Sequence, residues 1–597
     1  MATRVCPPAQ GHHTVSPPRP RIPAPPRTGY AKPAADHGIL PVSGKDRYLP
    51  HTTRQPTPIN GTLKTRTRES QGPPDQSPRD PRRDILDRTE IQSQTTPAQR
   101  STTAHPTKST PNPDATTRQP EPDAHHCPRN IIHSTRHSPV DTAHPHARRS
   151  VHELRYRHIG GHDYIYRCQD SANQPRTFIL AFRYPGSERE LREELAALRT
   201  RAASLRHLAS VLRTPWGPLA RPLLVTGSDL PTPTVQTVSE AETESTLCRL
   251  NSVPSDFAQP LWQCHGLVLE EGGFVIALRF HHVLFDGGGG TDACAQLLGG
   301  KPLGESVGWR RATGSAWLGA LQLRDTLVGM PKAAVTRTRQ LARLGALRTP
   351  HLRSLKSAAA RINRPAQDCA WNLAELSPGR SMASVTLPFG AVEAVARWQG
   401  CTINDVAVAA VCSAILSEAR KQGVGINGYK VWIPVVRRSS DDMVGSTGTS
   451  LRLVVLDESL RDAQGLLAVL PAVVAAKDDQ EVERVGALTT QISEYLPAPI
   501  LRRVARAENT VANTLVSTLR LDPNELTVGG QEPDNIWCCA PIEARLSWMA
   551  VLIRTPKQLR VSITAEESLG PLVASLRDRL SVAVREADDQ RATAADN

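Results

Sequence analysis

A break in composition near residue 150 limits what this chain can fold into more than any other feature. Residues 1–150 hold 26 of the 50 prolines and 11 of the 19 histidines, with no Phe or Trp and only two tyrosines, Tyr30 and Tyr48. Proline fixes φ and removes a backbone donor. A segment this poor in apolar surface cannot offset the entropy of ordering it. The sequence therefore predicts a disordered Pro/Arg/Thr/His-rich tail over 1–150. The remainder is too long for one ordinary core, so more than one folded unit is expected there. The tail also carries 22 Lys+Arg against 12 Asp+Glu, which is ten of the chain's fourteen excess positive charges. Its arginines are scattered among Pro and Thr without interleaved aromatics, which argues against a nucleic-acid partner. Its histidines match no structural zinc spacing, and no metal site is expected anywhere in the chain.

The first twenty residues contain no apolar core of a secretory signal. The longest apolar runs, such as "VAVAAVCSAIL" at Val406–Leu416, fall short of the roughly 18–20 residues that span a bilayer. Eleven cysteines without framework spacing fit reduced thiols. The expected location is cytoplasmic, with room for peripheral contact at a membrane or lipid inclusion. The adjacent pair Cys538-Cys539 reads as core.

Beyond residue 150 strands and helices alternate. "TFILAFRY" at 177–184 reads as a strand. A leucine-patterned helix follows, N-capped by Ser187 with Glu190 three residues on, and the spacing of Leu191, Leu195, Leu198, Leu205, Leu208 and Leu212 carries it to 212. A second helix is expected near 238–250. Residues 381–389 read as a strand, and a helix follows with Thr402 and Asp405 as a capping box and Gly423 as its stop. Further strands are expected in "YKVWIPVV", "TSLRLVVL" and "LRVSITAE", then an amphipathic closing helix. The expected division is 151–330, a helical linker over 331–370, and 371–597.

The chemistry gathers in "FVIALRFHHVLFDGGGGTDAC", Phe274–Cys294. Side chains alternate across a strand. His282 therefore continues the apolar face of Phe274, Ile276, Leu278 and Phe280, and His281 falls on the other face. Opposed faces argue against both imidazoles binding one ion. A neutral imidazole facing the interior can take a proton from a hydroxyl or amine. Asp286 can pair with an arginine and fix the loop, and the glycines from Gly287 on permit close approach of a substrate. A lone histidine at a strand end is more often simply a satisfied residue, so context has to decide.

That context is a set of motifs. "HHVLFDG" follows Pro260-Leu261-Trp262 by about twenty residues. "TINDVAVAAVCSAI" carries Asn404-Asp405, and "VWIPVVRR" ends in Arg437-Arg438. In this order they resemble the bacterial wax ester synthase/diacylglycerol acyltransferase family, within the chloramphenicol acetyltransferase-like superfamily that also holds condensation domains. The resemblance covers about 155–590. Departures fall late in the chain, where "VSTLRLDPN" keeps only Ser517 of a Ser-Asn-Val-Pro-Gly-Pro-like turn, and at the start, where the family's Pro-Leu-Ser-x-x-Asp opening reads "GGHDYIYR".

The resemblance implies an α/β (α+β) fold of two chloramphenicol acetyltransferase-like halves forming a tunnel. It implies His282 as general base, His281 and Asp286 as structural neighbours, Gly287 as room for substrate, and Trp262, Asn404 and Asp405 at the substrate-binding side. The residues alone read Trp262 more readily as a packing anchor, and Asn404 and Asp405 equally well as a helix cap. The implied reaction joins acyl-CoA, a co-substrate with no further cofactor, to a lipid alcohol, giving triacylglycerol from diacylglycerol or a wax ester from a fatty alcohol. Two alternatives remain: an enzyme of specialised metabolism using a carrier-bound acyl donor, with the basic 310–360 region at its tunnel mouth, and a catalytically degenerate acyl-binding member.

Overall fold

The computed structural model describes residues 154–300, 309–312, 314, 317–324, 335, 349–436, 449–460, 462–494, 496–507 and 511–596. The tail read from composition, and Arg437-Arg438, lie outside them.

Two sheets organise the chain. The first has five strands in the order Asn535–Cys539, Thr177–Tyr184, Phe274–His281, Trp262–Leu269, Thr234–Val238; only the last pair runs parallel. The second has six, Thr449–Leu456, Tyr429–Val436, Thr514–Arg520, Trp548–Arg554, Leu559–Glu566, Arg380–Leu387, with parallel pairing on either side of Thr514–Arg520. A small sheet of Ser210–Arg213, Leu223–Thr226, Arg155–His158 and Arg310–Arg311 flanks the first. This is the mixed α/β architecture expected from the sequence.

The first sheet is covered on both faces, which explains why its histidine strand is apolar at nearly every position. Phe274, Ile276, Leu278 and Phe280 enter the large core with the helix Glu188–Ser204. Val275 and Ala277 enter a smaller one with Leu247 and Trp537. The second core surrounds the helix Ile403–Gln422, buried along almost its whole length. Thr402 accepts from Asp405 N–H at 3.2 Å, Asp405 accepts from Thr402 N–H at 2.9 Å, and Gly423 ends the helix at φ 66°, as the pattern predicts. Among the described residues no single helix is long and apolar enough to cross a membrane; the pair Phe389–Trp398 and Ile403–Gln422 reaches that length only across a 105° bend.

Two expectations need correction. The leucine pattern does not stay helical to 212. The helix ends at Ser204, and Ser210–Arg213 pairs antiparallel with Leu223–Thr226. Leu208 and Leu212 are buried in the same core as the helix leucines, so burial without a shared helix produced the spacing. The predicted strand at 381–389 likewise stops at Leu387, and Phe389 opens a helix.

The sequence division also hides an exchange. Asn535–Cys539, far along the C-terminal part, completes the edge of the N-terminal sheet, with Trp537 opposite Ala181 and Cys539 opposite Ile179. Cys538 N–H donates to Ser562 Oγ at 3.3 Å and Ala540 N–H to Thr564 Oγ1 at 3.0 Å, so the same segment touches the second sheet. Cys538 and Cys539 fall in different cores, as the alternation of a strand requires, and both are free thiols. The Trp537 ring is buried, with the Arg560 guanidinium 5.3 Å from its centroid. Trp537→Ala is expected to cost about 3–5 kcal/mol, read as a lowered thermal midpoint. An unchanged midpoint would show that this strand does not hold the two sheets.

Candidate active site

The site forms where the histidine strand ends. Thr177 pairs with His281, and one residue later His282 N–H donates to the Arg176 carbonyl at 2.9 Å, so backbone bonding fixes both histidines. Their side chains diverge as the alternation predicts. His281 is completely buried. Its Nδ1 accepts from Val283 N–H at 3.0 Å, which leaves the proton on Nε2, 3.0 Å from Asp170 Oδ2. Burial lowers the His281 pKa, and Asp170 acts against that shift. Asp170 also accepts from Arg176 N–H at 2.9 Å, so one carboxylate ties the histidine to the start of the neighbouring strand.

His282 turns the other way, into aromatic company. Its ring stacks on Tyr166 at 4.7 Å and 24°, and lies 5.0 Å from Phe178. The edge of His162 meets Tyr166 at 5.0 Å. Burial lowers the His282 pKa to about 3, helped by His281, Arg176 and His162, with a backbone hydrogen bond at Phe285 opposing. Its Nδ1 makes no hydrogen bond with the described residues. His162, Tyr166, His282 and Gly287 are half-buried.

Asp286 is the N-cap of the helix Gly287–Gly299: its Oδ1 accepts from Gly289 N–H at 2.7 Å. The carboxylate thus fixes the loop through the helix start. Arg437 and Arg438 of the "VWIPVVRR" motif, either of which could be the arginine partner expected for Asp286, lie outside the described residues. Glycine is required at Gly290 and Gly299 of this helix, where a Cβ would strike the Phe178 ring and the Glu525 carbonyl; a Cβ on Gly287 would come within 2.8 Å of Leu519 Cδ2, a side-chain end that can shift. Leu519 belongs to the strand Thr514–Arg520 of the second sheet, so Gly287 sits where the two sheets meet.

The remaining sequence candidates are placed less directly. Trp262 is buried, and its indole N–H donates to the Leu208 carbonyl at 2.8 Å, which is the position of a packing anchor. Asn404 Oδ1 accepts from Thr518 Oγ1 at 2.6 Å, and Thr518 precedes Leu519, so Asn404 reaches Gly287 only through that strand. Asp405 caps its own helix and pairs with Lys477 at 3.2 Å. Ser517 lies within the strand, opposite Val551.

The motifs gave no sign of the helix Gly161–Gln169. It supplies His162, Asp163 and Tyr166, with Asp170 just beyond its end. Only the "GGHDYIYR" departure marked this stretch. Glu494 Oε1 accepts from Gly161 N–H at 2.9 Å, and Asp163 Oδ2 from Gly160 N–H at 3.2 Å. Burial, with Glu494 second, pushes the Asp163 pKa up to about 7. Burial lowers that of His162, against Glu494 and Asp286.

The fold is a mixed α/β one whose paired histidines end a strand of the first sheet, beside its junction with the second. Residues 228–407 match the family model described as "Wax ester synthase/diacylglycerol acyltransferase catalytic domain". The resemblance read from the motifs is borne out over that stretch, which holds Trp262, both histidines, Asp286, Gly287 and Asn404-Asp405. A Mycobacterium tuberculosis protein named as a probable diacylglycerol O-acyltransferase is 28% identical over 188 residues, 28% of this chain and 39% of that protein. A second protein of that organism, likewise named for diacylglycerol O-acyltransferase activity, is 24% identical over 284 residues, 45% of this chain and 61% of its own. The chain thus spans less than two thirds of the length of these relatives. In fold it is similar to the wax ester synthase/diacylglycerol acyltransferase of Marinobacter aquaeolei VT8, with a TM-score of 0.50 at 17% identity over 72% of this chain and 99% of that one.

Asp163 yields a pH prediction. A carboxyl whose folded pKa is raised stabilises the fold below its unfolded value, near 4, and that stability is lost as pH rises through 7. Asp163→Asn, which mimics the protonated form, is expected to melt like the native protein near pH 4. At pH 8 it should be more stable by at least about 1.4 kcal/mol, one pKa unit. Parallel melting curves at both pH values would refute the assignment.

Proposed function

We propose that the chain is an acyl-CoA-dependent O-acyltransferase that esterifies a lipid alcohol, diacylglycerol or a fatty alcohol, with His282 as general base. The observation that carries this reading is the imidazole of the HHxxxDG motif's second histidine, stacked on Tyr166 and packed beside Phe178, where burial lowers its pKa to about 3. In the proposed reaction the substrate hydroxyl gives its proton to the His282 ring. The oxygen attacks the thioester carbonyl carbon, the tetrahedral adduct collapses, and the C–S bond breaks. The imidazolium then returns its proton to the departing CoA thiolate. Such a base contributes roughly 10²–10⁴-fold. Enclosure keeps water from competing for the thioester and lets a fixed environment act on the developing charge.

The neighbours support this role. Tyr166 and Phe178 fix the ring plane, Asp286 fixes the loop that follows, and Gly287 leaves room at the sheet junction. His281 faces away and is engaged with Asp170, which suits a structural part.

Full-length protein should release free CoA from palmitoyl-CoA only when hexadecanol or diacylglycerol is added, and the better acceptor identifies the product. His282→Ala should lower this release at least about 100-fold while the protein stays folded. Silence of a folded native protein with every acceptor would reject the reading in favour of a carrier-bound donor or a retired enzyme. The pH profile offers a second check. With its pKa near 3, His282 stays unprotonated from pH 5 upward. The acid limb of kcat/KM should therefore lie well below 6.5, the ordinary histidine value. A limb at 6.5 that disappears in a His282 variant would contradict the buried, neutral imidazole.

A further inference from the structure

Twelve large hydrophobic side chains are exposed among the described residues, and five of them gather on three touching segments. Trp216 and Leu219 lie at 44% and 72% exposure, Trp317 at 62%, and Ile500 and Val504 at 48% and 49%. The Trp216 indole N–H donates to the Gly319 carbonyl at 2.9 Å, which joins the first segment to the second. Leu219 lines a cleft of about 490 Å³ with Pro499, Arg502, Arg503 and Arg506, which joins the first to the third.

The helix Ala498–Ala505 explains the exposure. Ala498, Leu501 and Ala505 are its buried face. Ile500 and Val504, one turn apart, stand on the outer side with Arg503, so the helix is apolar on a face that nothing in the described fold covers.

The charge is as one-sided as the apolar pattern. Residues 213–221, 309–324 and 498–507 contain eight arginines and no Asp, Glu or Lys. Arg221 is paired with Glu494 at 3.6 Å, and Arg502 donates to Tyr164 OH at 2.6 Å. Arg503 and Arg506 are exposed and make no ion pair with the described residues. Guanidinium forks match phosphate oxygens. Exposed tryptophan and aliphatic side chains suit the boundary between headgroups and acyl chains. A nucleic acid would satisfy the arginines but leave Leu219, Ile500 and Val504 without a counterpart.

We propose that this face docks the protein onto an anionic phospholipid bilayer, with Trp216, Leu219, Trp317, Ile500 and Val504 entering the interface and Arg503 and Arg506 on the phosphates. The face adjoins the active site. Arg502 fastens its helix to Tyr164, and two residues on Tyr166 stacks against His282. A lipid alcohol dissolved in that bilayer would therefore lie one helix away from the proposed base. The docking itself does not depend on the catalytic reading.

The test is co-sedimentation of the full-length protein, without acyl-CoA, with vesicles of phosphatidylcholine alone or mixed with phosphatidylglycerol. Binding is expected to need phosphatidylglycerol, to weaken with salt, and to shift tryptophan emission to the blue. Arg503→Glu with Arg506→Glu should reduce it at least about tenfold. Trp317→Ser with Leu219→Ser should reduce binding and diminish the blue shift, what remains of it coming from Trp216. All these positions are exposed, so the variants should keep the native melting temperature. Native-like binding by both double variants would overturn the proposal and assign any vesicle affinity to another basic part, such as the N-terminal 150 residues. Retention on duplex DNA, lost in the arginine variant, without vesicle binding would overturn it in favour of a nucleic acid. Vesicle binding by a protein silent with every acyl acceptor would leave the docking face standing and reject only the catalytic reading.

Discussion

The antiparallel pairing of Asn535–Cys539 with Thr177–Tyr184 is the constraint on which the rest depends. It seats a strand from late in the chain on the edge of the sheet that carries the histidines, and its backbone also bonds Ser562 and Thr564 of the other sheet. Two sheets joined this way cannot slide past one another without breaking a ladder and exposing Trp537. The consequence is felt one strand further in, at the same end of the sheet, where Cys539 lies opposite Ile179 and Thr177 opposite His281. There the histidine strand stops, and the first glycine of the next helix meets Leu519 of the second sheet.

Desolvation sets the electrostatics of that site. It holds His282 unprotonated and, a few residues away in the helix Gly161–Gln169, pushes Asp163 toward protonation. The two effects pull stability in opposite directions with pH. A histidine with a depressed pKa destabilises the fold as pH falls below 6.5, and a carboxyl with a raised one does so as pH rises through 7. Asp170, beside His281, and Glu494, at the helix start, accept hydrogen bonds from backbone N–H groups. A buried imidazole held unprotonated in this way is an arrangement that gains charge only when a proton is delivered to it.

Much of the candidate site was legible because it is local. Alternation along Phe274–His282 was enough to send the two imidazoles to opposite sides, and the structure shows His281 on Asp170 and His282 on Tyr166. The capping box at Thr402 and the stop at Gly423 depend only on residues within a turn of one another. What failed was periodicity carried past its element. Leu208 and Leu212 keep helical spacing but belong to a turn and a strand, since the core into which they point does not record which element delivered them. Trp262 and Asp405 also show that a motif residue can hold its motif's scaffold, here through Leu208 and Lys477.

The sequence by itself determined the break in composition near residue 150, the type of most long elements and the opposed directions of the two histidines. Each of these follows from composition or from contacts within a few residues. Only the tertiary structure decided that Tyr166 stacks on His282, that Asp170 holds His281, that Gly287 faces Leu519, and that a strand from one end of the chain completes the sheet of the other. The same holds for the gathering of Trp216, Trp317 and Ile500 on one arginine-rich face. These pairings join residues separated by about a hundred to several hundred positions. Nothing in local propensity encodes them; they are fixed when burial of two large cores leaves one arrangement in which the backbone bonds of every strand are made.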